Sequence, residues 1–243
     1  MPFTFAHPAI VLPFGKMPKR WISMTGLIIG SMVPDFEYFL RMRVKSIYSH
    51  TWPGLIWFDL PIGLLSLFIY QIVVKEQIIL HLPPSLNGRL SKYRGVNYTG
   101  STFHYLIVVI LSILFGGATH IIWDAFTHPD GYFVSVLPVL SNFIQFGSHR
   151  FFIYKIIQHG STVTGVVIIF MVTYSLPPRN AKANNRYVLN YWLQIISISV
   201  VTIIVRLLSG LSYHQYGDVI VTGIAGGFIG LIITSLLNKL RST

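Results

Sequence analysis

The chain has 243 residues, of which 53% are hydrophobic and only 10% charged, with a mean hydropathy of +0.63; a soluble globular domain carries about a quarter charged residues, so that class is excluded. Eighteen Lys and Arg against seven Asp and Glu give a formal charge of +11, but the basic residues stand between apolar stretches, where they orient membrane spans, and nucleic acid is not an expected partner. There is no Cys, which removes disulfides, thiolate metal sites and a Cys nucleophile and leaves only nitrogen and oxygen donors for any metal.

The opening MPFTFAHPAIVLPF has neither the basic start nor the small-residue cleavage site of a secretory signal and is expected to stay in the protein as a re-entrant or interfacial segment. Residues 21–33 are too short to span and run directly into Pro34-Asp35, so they read as a half-span or buried helix that delivers an acidic pair to one membrane face. Stretches that reach or approach the ~20 residues needed to cross about 30 Å of hydrocarbon occupy 54–74, 103–126, 188–208 and 218–237, with a shorter one at 161–176. Residues 131–146 are again re-entrant or interfacial.

The expected fold is therefore all-α: a polytopic transmembrane helical bundle of about five to six spans plus short re-entrant or interfacial helices. It reads as one domain, 1–243, in which 1–165 carries the polar motifs and 166–243 supplies packing spans. The last span contains Gly223-x-x-x-Gly227 and Gly226-x-x-x-Gly230, which let helix backbones approach closely, within the bundle or between protomers of a homo-oligomer. Trp21, Trp52, Trp57, Trp123 and Trp192 lie near span ends, as interfacial anchors do.

Basic loops set the orientation. Lys75, Arg89, Lys92 and Arg94, then Arg179, Lys182 and Arg186, then Lys239 and Arg241 all fall on one side if the spans alternate, and that side is expected to be cytoplasmic. Arg41, Arg43 and Lys45 then fall on the outer face, against the rule.

Charge is so scarce that its placement is informative, because intramembrane ionisable groups are costly. In Thr119-His120-Ile-Ile-Trp-Asp124-Ala-Phe-Thr-His128-Pro129-Asp130-Gly131, His120 and Asp124 stand four apart; on a helix that is about 6 Å of rise and about 40° of rotation, so both side chains reach one ion. The same spacing also suits a plain His–carboxylate hydrogen bond at a helix end. Pro129 ends the helix and leaves His128 near the same face. In Pro34-Asp35-Phe-Glu37, the two acids point about 200° apart on a helix and cannot share an ion. Glu37 pairs with Arg41 at i,i+4, so Asp35 is the better ligand. His7 and His50, each unremarkable alone, complete a polar set with His128. Asp59, inside the first full span and two residues before Pro61, is expected to orient ligands, as are Glu37 and Asp130.

MPFTFAHPAIVLP, GSMVPDFEYFLR, YSHTWPGLIWFDLPIGLL and GATHIIWDAFTHPDG resemble, in order and spacing, a family of uncharacterised bacterial membrane proteins of unknown function. That family is similar to the inner-membrane metal-dependent hydrolases and, more distantly, to the all-helical zinc-dependent phospholipase C and single-strand nuclease superfamily. The resemblance implies metal ligation by His7, Asp35, His50, His120 and Asp124, with His128 following. The phospholipase type also uses an N-terminal Trp amine and a later His-x-x-x-Glu, which this sequence lacks, so one or two ions are implied.

Four His and two Asp suffice for two divalent ions with open positions, zinc first and manganese or iron as alternatives. The implied activity is hydrolysis of a phosphoester, such as a phospholipid headgroup, on the extracytoplasmic face of a bacterial inner membrane, with Asp35, Asp124 and His128 in the chemistry. Arg41, Arg43 and Lys45 then hold the lipid phosphate, or simply grip headgroups by snorkelling. A non-catalytic membrane scaffold and an ion- or proton-coupled transporter stay open as the competing classes.

Overall fold

Pro8 and Pro13 lack the N–H that an α-helix needs, and the start of the chain winds instead into tight 3-10 turns, Thr4–Ile10 and Leu12–Lys16. They open a computed structural model that describes residues 3–95, 101–179 and 185–242. Among the described residues, five helices are long and apolar enough to cross a membrane: Trp52–Leu80, Thr102–Asp124, Ile153–Ser175, Arg186–Leu208 and Tyr216–Arg241, the first to fifth spans. The described residues form two compact units, each discontinuous in sequence.

The first unit takes in the residues up to Asp35, Tyr48–Leu64, and the second and third spans to Val172. Helix α1, Met24–Gly30, begins where the Ser23 side chain accepts from the Gly26 N–H at 3.2 Å. The Ser23 N–H donates to Ser112 Oγ at 2.9 Å, which pins this start to the second span. The two helices then meet backbone to backbone. A Cβ added at Gly30 would lie 2.3 Å from the Ile113 carbonyl oxygen, and one at Gly116 would lie 2.4 Å from that of Leu27. Beyond α1 the chain turns through Val33–Asp35.

The first span starts at a Thr51 cap whose hydroxyl accepts from the Gly54 N–H at 3.0 Å. Pro61 removes one of the helix's N–H donors, and the turn before it, Leu55–Asp59, is wound wider, as a π turn. This turn packs on both Val33–Asp35 and the second span.

Between the second and third spans, the stretch expected to be re-entrant or interfacial holds strand as well as helix. Short helices Tyr132–Val136 and Pro138–Ser141 lead into a hairpin of β1, Phe143–Phe146, and β2, His149–Phe152, with Phe143 opposite Phe152. The turn is possible because Gly147 takes φ +60°, and the aromatic and branched residues on either side favour the extended chain. The third span also starts eight residues earlier than the stretch 161–176, at Ile153.

The second unit holds Phe36–Ile47, Leu65 onward through the end of the first span, and the chain from Thr173. Helix α2, Phe36–Arg41, stops at Met42, which adopts φ 50° while the Arg43 N–H donates to the Tyr38 carbonyl at 3.1 Å. Lys75, expected in a loop, lies inside the first span, and its Nζ donates to Gln71 Oε1 at 3.1 Å and the Gly95 carbonyl at 2.9 Å. Arg89 donates to the carbonyls of Tyr174 and Leu176 at the end of the third span. The fourth and fifth spans pack closely: a Cβ at Gly226 would lie 2.8 Å from Ser199 Cα, and one at Gly230 would lie 2.9 Å from the Ile195 carbonyl oxygen. Gly223 also faces the fourth span, whereas a Cβ at Gly227 would meet nothing within 4 Å. Lys182 lies outside the described residues.

Candidate metal centre

Asp35 ends the Val33–Asp35 turn, His50 immediately precedes the first span, and His120 and Asp124 share the last turn of the second span. All four belong to the first unit, and each offers one ligand atom within 4.8 Å of the others. His50 Nε2 is 3.4 Å from Asp35 Oδ1 and 3.5 Å from Asp124 Oδ2. His120 Nε2 is 3.5 Å from Asp35 Oδ1 and 3.4 Å from Asp124 Oδ2. These are poor hydrogen-bond lengths. They match the ~3.3–3.4 Å edge of a tetrahedron whose ligands stand about 2.0–2.1 Å from one cation.

Atoms turned away from the centre are fixed, and atoms turned toward it are not. The His120 Nδ1–H donates to the Ser31 carbonyl at 2.7 Å, which leaves Nε2 as the inward lone pair. Thr4 Oγ1 donates to Asp35 Oδ2 at 2.5 Å, freeing Oδ1 for the centre. His50 Nδ1 meets Ser49 Oγ at 3.0 Å. Among the described residues, buried His7 Nε2, His120 Nε2, Asp35 Oδ1 and both Asp124 carboxylate oxygens have no hydrogen-bond partner. Orphaned atoms of this kind are costly unless something binds them, and a cation fits this donor set.

His7 stacks on His120, ring centroids 3.8 Å apart, and its Nε2 lies 3.7 Å from Asp124 Oδ1, the oxygen that does not face His50 and His120. Burial, with help from His120 and against the pull of Asp124 and Asp35, pushes the His7 imidazole down to about 3, so it is neutral with a lone pair to give. Burial also works to raise Asp35, but His120 and His50 outweigh it and hold this carboxyl below the usual carboxylate range. In His50 burial is outweighed by the carboxylates of Asp124 and Asp35, which raise it.

The other expected residues take different places. His128 stands at the rim, a quarter exposed, with Nδ1 3.0 Å from the Asp124 carbonyl oxygen and 3.8 Å from Asp124 Oδ2. Asp59 is buried in the π turn that packs against the Asp35 turn, and Asp130 is exposed on the turn after His128. Glu37, in the second unit, accepts from Arg41 Nε at 2.7 Å, Ser46 Oγ at 3.1 Å and the Ile47 N–H at 3.0 Å. Arg43 stands 4.0 Å from Asp218, and Lys45 is exposed. Thr4 and Ser31 were not singled out by the sequence: nothing separates Thr4 from other hydroxyl residues, and Ser31 contributes a backbone carbonyl that any residue could offer.

The profile of a family described as Domain of unknown function (DUF4184) matches residues 1–236. The chain belongs to the DUF4184 family. No curated protein and no solved structure matches it. The DUF4184 match covers residues of both units, so the donor set and the packing spans are parts of one family's chain.

Proposed function

We propose that this chain is a membrane-embedded, metal-dependent hydrolase that holds a divalent cation at Asp35, His50, His120 and Asp124 and acts on a phosphoester of a membrane-lipid headgroup. One observation carries the reading: donor atoms of four residues, as far as 89 apart in sequence, lie within 4.8 Å of one another, with each imidazole 3.4–3.5 Å from both carboxylates and the outward atoms of Asp35 and His120 tied. Two imidazoles with two carboxylates favour zinc, with manganese and iron competing for the same donors. A cation there supplies positive charge for a phosphoryl oxygen and acidifies water to a pKa of about 7. His7 offers a lone pair on the far side of Asp124, the donor a second ion would use. His128, a quarter exposed at the rim, would carry a proton between the centre and solvent in this reading. The extracytoplasmic face belongs to the same reading and is supported by the basic loops; the bacterial inner membrane rests on the resemblance of the motifs.

Metal analysis of the purified protein tests it. Wild type is expected to hold about one to two zinc, manganese or iron ions per chain. Asp35→Asn and His120→Ala are expected to lose them while eluting as the wild type does. A folded wild type that neither contains nor takes up these metals would overturn the proposal and return the chain to the scaffold or ion-path classes.

A further inference from the structure

Beside the centre, wholly within the first unit, runs a groove of about 420 Å³, inside the ~300–1,000 Å³ of small-molecule sites. Ala6, Ala9 and Ile10 of the first 3-10 turn form one wall and Trp123 of the second span another. The third span supplies Ile157, Gly160, Thr164 and Ile168, successive positions on one helical face. From Ile157 to Ile168 that face rises about 16 Å, so the groove is a long slot. Its floor is set by Gly165, where an added Cβ would lie 2.8 Å from the Ala6 carbonyl oxygen. No charged residue lines it, and the Ser161 hydroxyl is spent on the Gln158 carbonyl of its own helix at 2.9 Å. The single titratable side chain in its walls is His7, which reaches Asp124 at 3.7 Å.

We propose that this slot holds one acyl chain of a membrane phospholipid and so sets that lipid's polar group against the metal centre. Two features of the third span name the occupant. Its length and composition suit it to cross a membrane, and its neighbouring faces, Val163 at 65% and Phe170 at 58%, are exposed. Its surroundings are therefore lipid tails. A narrow slot along such a helix, whose polar side chains besides Ser161 are Thr164 and His7, offers a water-soluble ligand little to bond, whereas a tail enters it sideways. Lipid tails are as apolar as Leu, so entry gains little hydrophobic free energy. The slot contributes position: it fixes which lipid atoms face the cation, the kind of orientation that lowers a barrier. What happens to the lipid at the centre rests on the hydrolase reading; occupancy of the slot does not.

Photo-crosslinking in vesicles of phosphatidylglycerol and phosphatidylethanolamine carrying a diazirine on one acyl chain tests the proposal with the full chain. Labelling mapped by mass spectrometry is expected to concentrate on Ala9, Ile157 and Thr164 over Val163 and Phe170. A Cβ at Gly160 would meet nothing within 4 Å, so Gly160→Leu fills the slot without a backbone clash. It is expected to cut groove labelling at least tenfold and leave Phe170 labelling unchanged. Thr164→Leu, which narrows the same face, is expected to do likewise. Equal labelling of all lipid-facing residues, labelling indifferent to both variants, or a groove shielded by a second copy in a cross-linked dimer would each overturn it. Metal content measured on the same samples separates failure of the slot from failure of the hydrolase: a metal-free protein with a labelled groove sinks the hydrolase and keeps the slot.

Discussion

Thr4 and Ser31 never face the centre, yet they decide which atoms of Asp35 and His120 do. Thr4→Val removes the 2.5 Å hydrogen bond to Asp35 Oδ2 without changing shape; metal affinity is expected to fall by roughly 10–100-fold, read by competition with a chelator. His128→Ala is expected to behave oppositely, keeping the metal and lowering kcat by about 10²–10⁴-fold on whatever phosphoester wild type hydrolyses; loss of metal would make it a ligand instead. At this scale the sequence was unusually readable, because seven acidic residues in 243 leave few places for a carboxylate to go unnoticed. The turn of about 200° between Asp35 and Glu37 on a helix already separated them, and the structure puts Asp35 among the four donors and Glu37 with Arg41. Thr4 and Ser31 could not be found that way. Their bonds join residues 31 and 89 positions apart; Thr4 uses a common hydroxyl, and Ser31 uses a backbone carbonyl that every residue carries.

Between elements, the packing of α1 on the second span is the contact that matters, since one leads into Asp35 and the other carries His120 and Asp124. Gly30→Ala and Gly116→Ala each drive a methyl group into facing backbone. Each is expected to lower stability by about 1–3 kcal/mol, seen as a lower Tm in detergent, and to weaken metal retention. Gly227→Ala, which meets nothing within 4 Å, is expected to leave Tm equal or slightly higher. Apolar length found all five spans. It misjudged their ends wherever a polar residue sits inside a helix: Lys75 finds partners within the fold, and Lys155, Gln158 and His159 dilute the start of the third span. The β1–β2 hairpin escaped because four-residue strands on either side of a two-residue turn carry too short a pattern to read.

For the whole chain, alternation of five spans puts the start of the first and the end of the second at one membrane face, which is where His50 and Asp124 stand. The absence of Cys makes the sidedness directly measurable with single introduced thiols. Lys92→Cys is expected to react with an impermeant maleimide only from the cytoplasmic side, and Ser209→Cys only from outside; the reverse pattern would move the centre to the cytoplasmic face. The sequence suggested a motif-bearing part followed by packing spans, whereas the compact units interleave: Asp35 and Glu37, two residues apart, belong to different ones. No local pattern encodes that exchange. The glycine seam between α1 and the second span reaches further than stability. Backbones already in contact at Gly30 and Gly116 can come no closer, so the seam sets the least separation of the two elements that carry Asp35 and His120. Under the proposed metal reading the seam works as a calliper, holding the turn that carries Asp35 and the helix that carries His120 to one spacing.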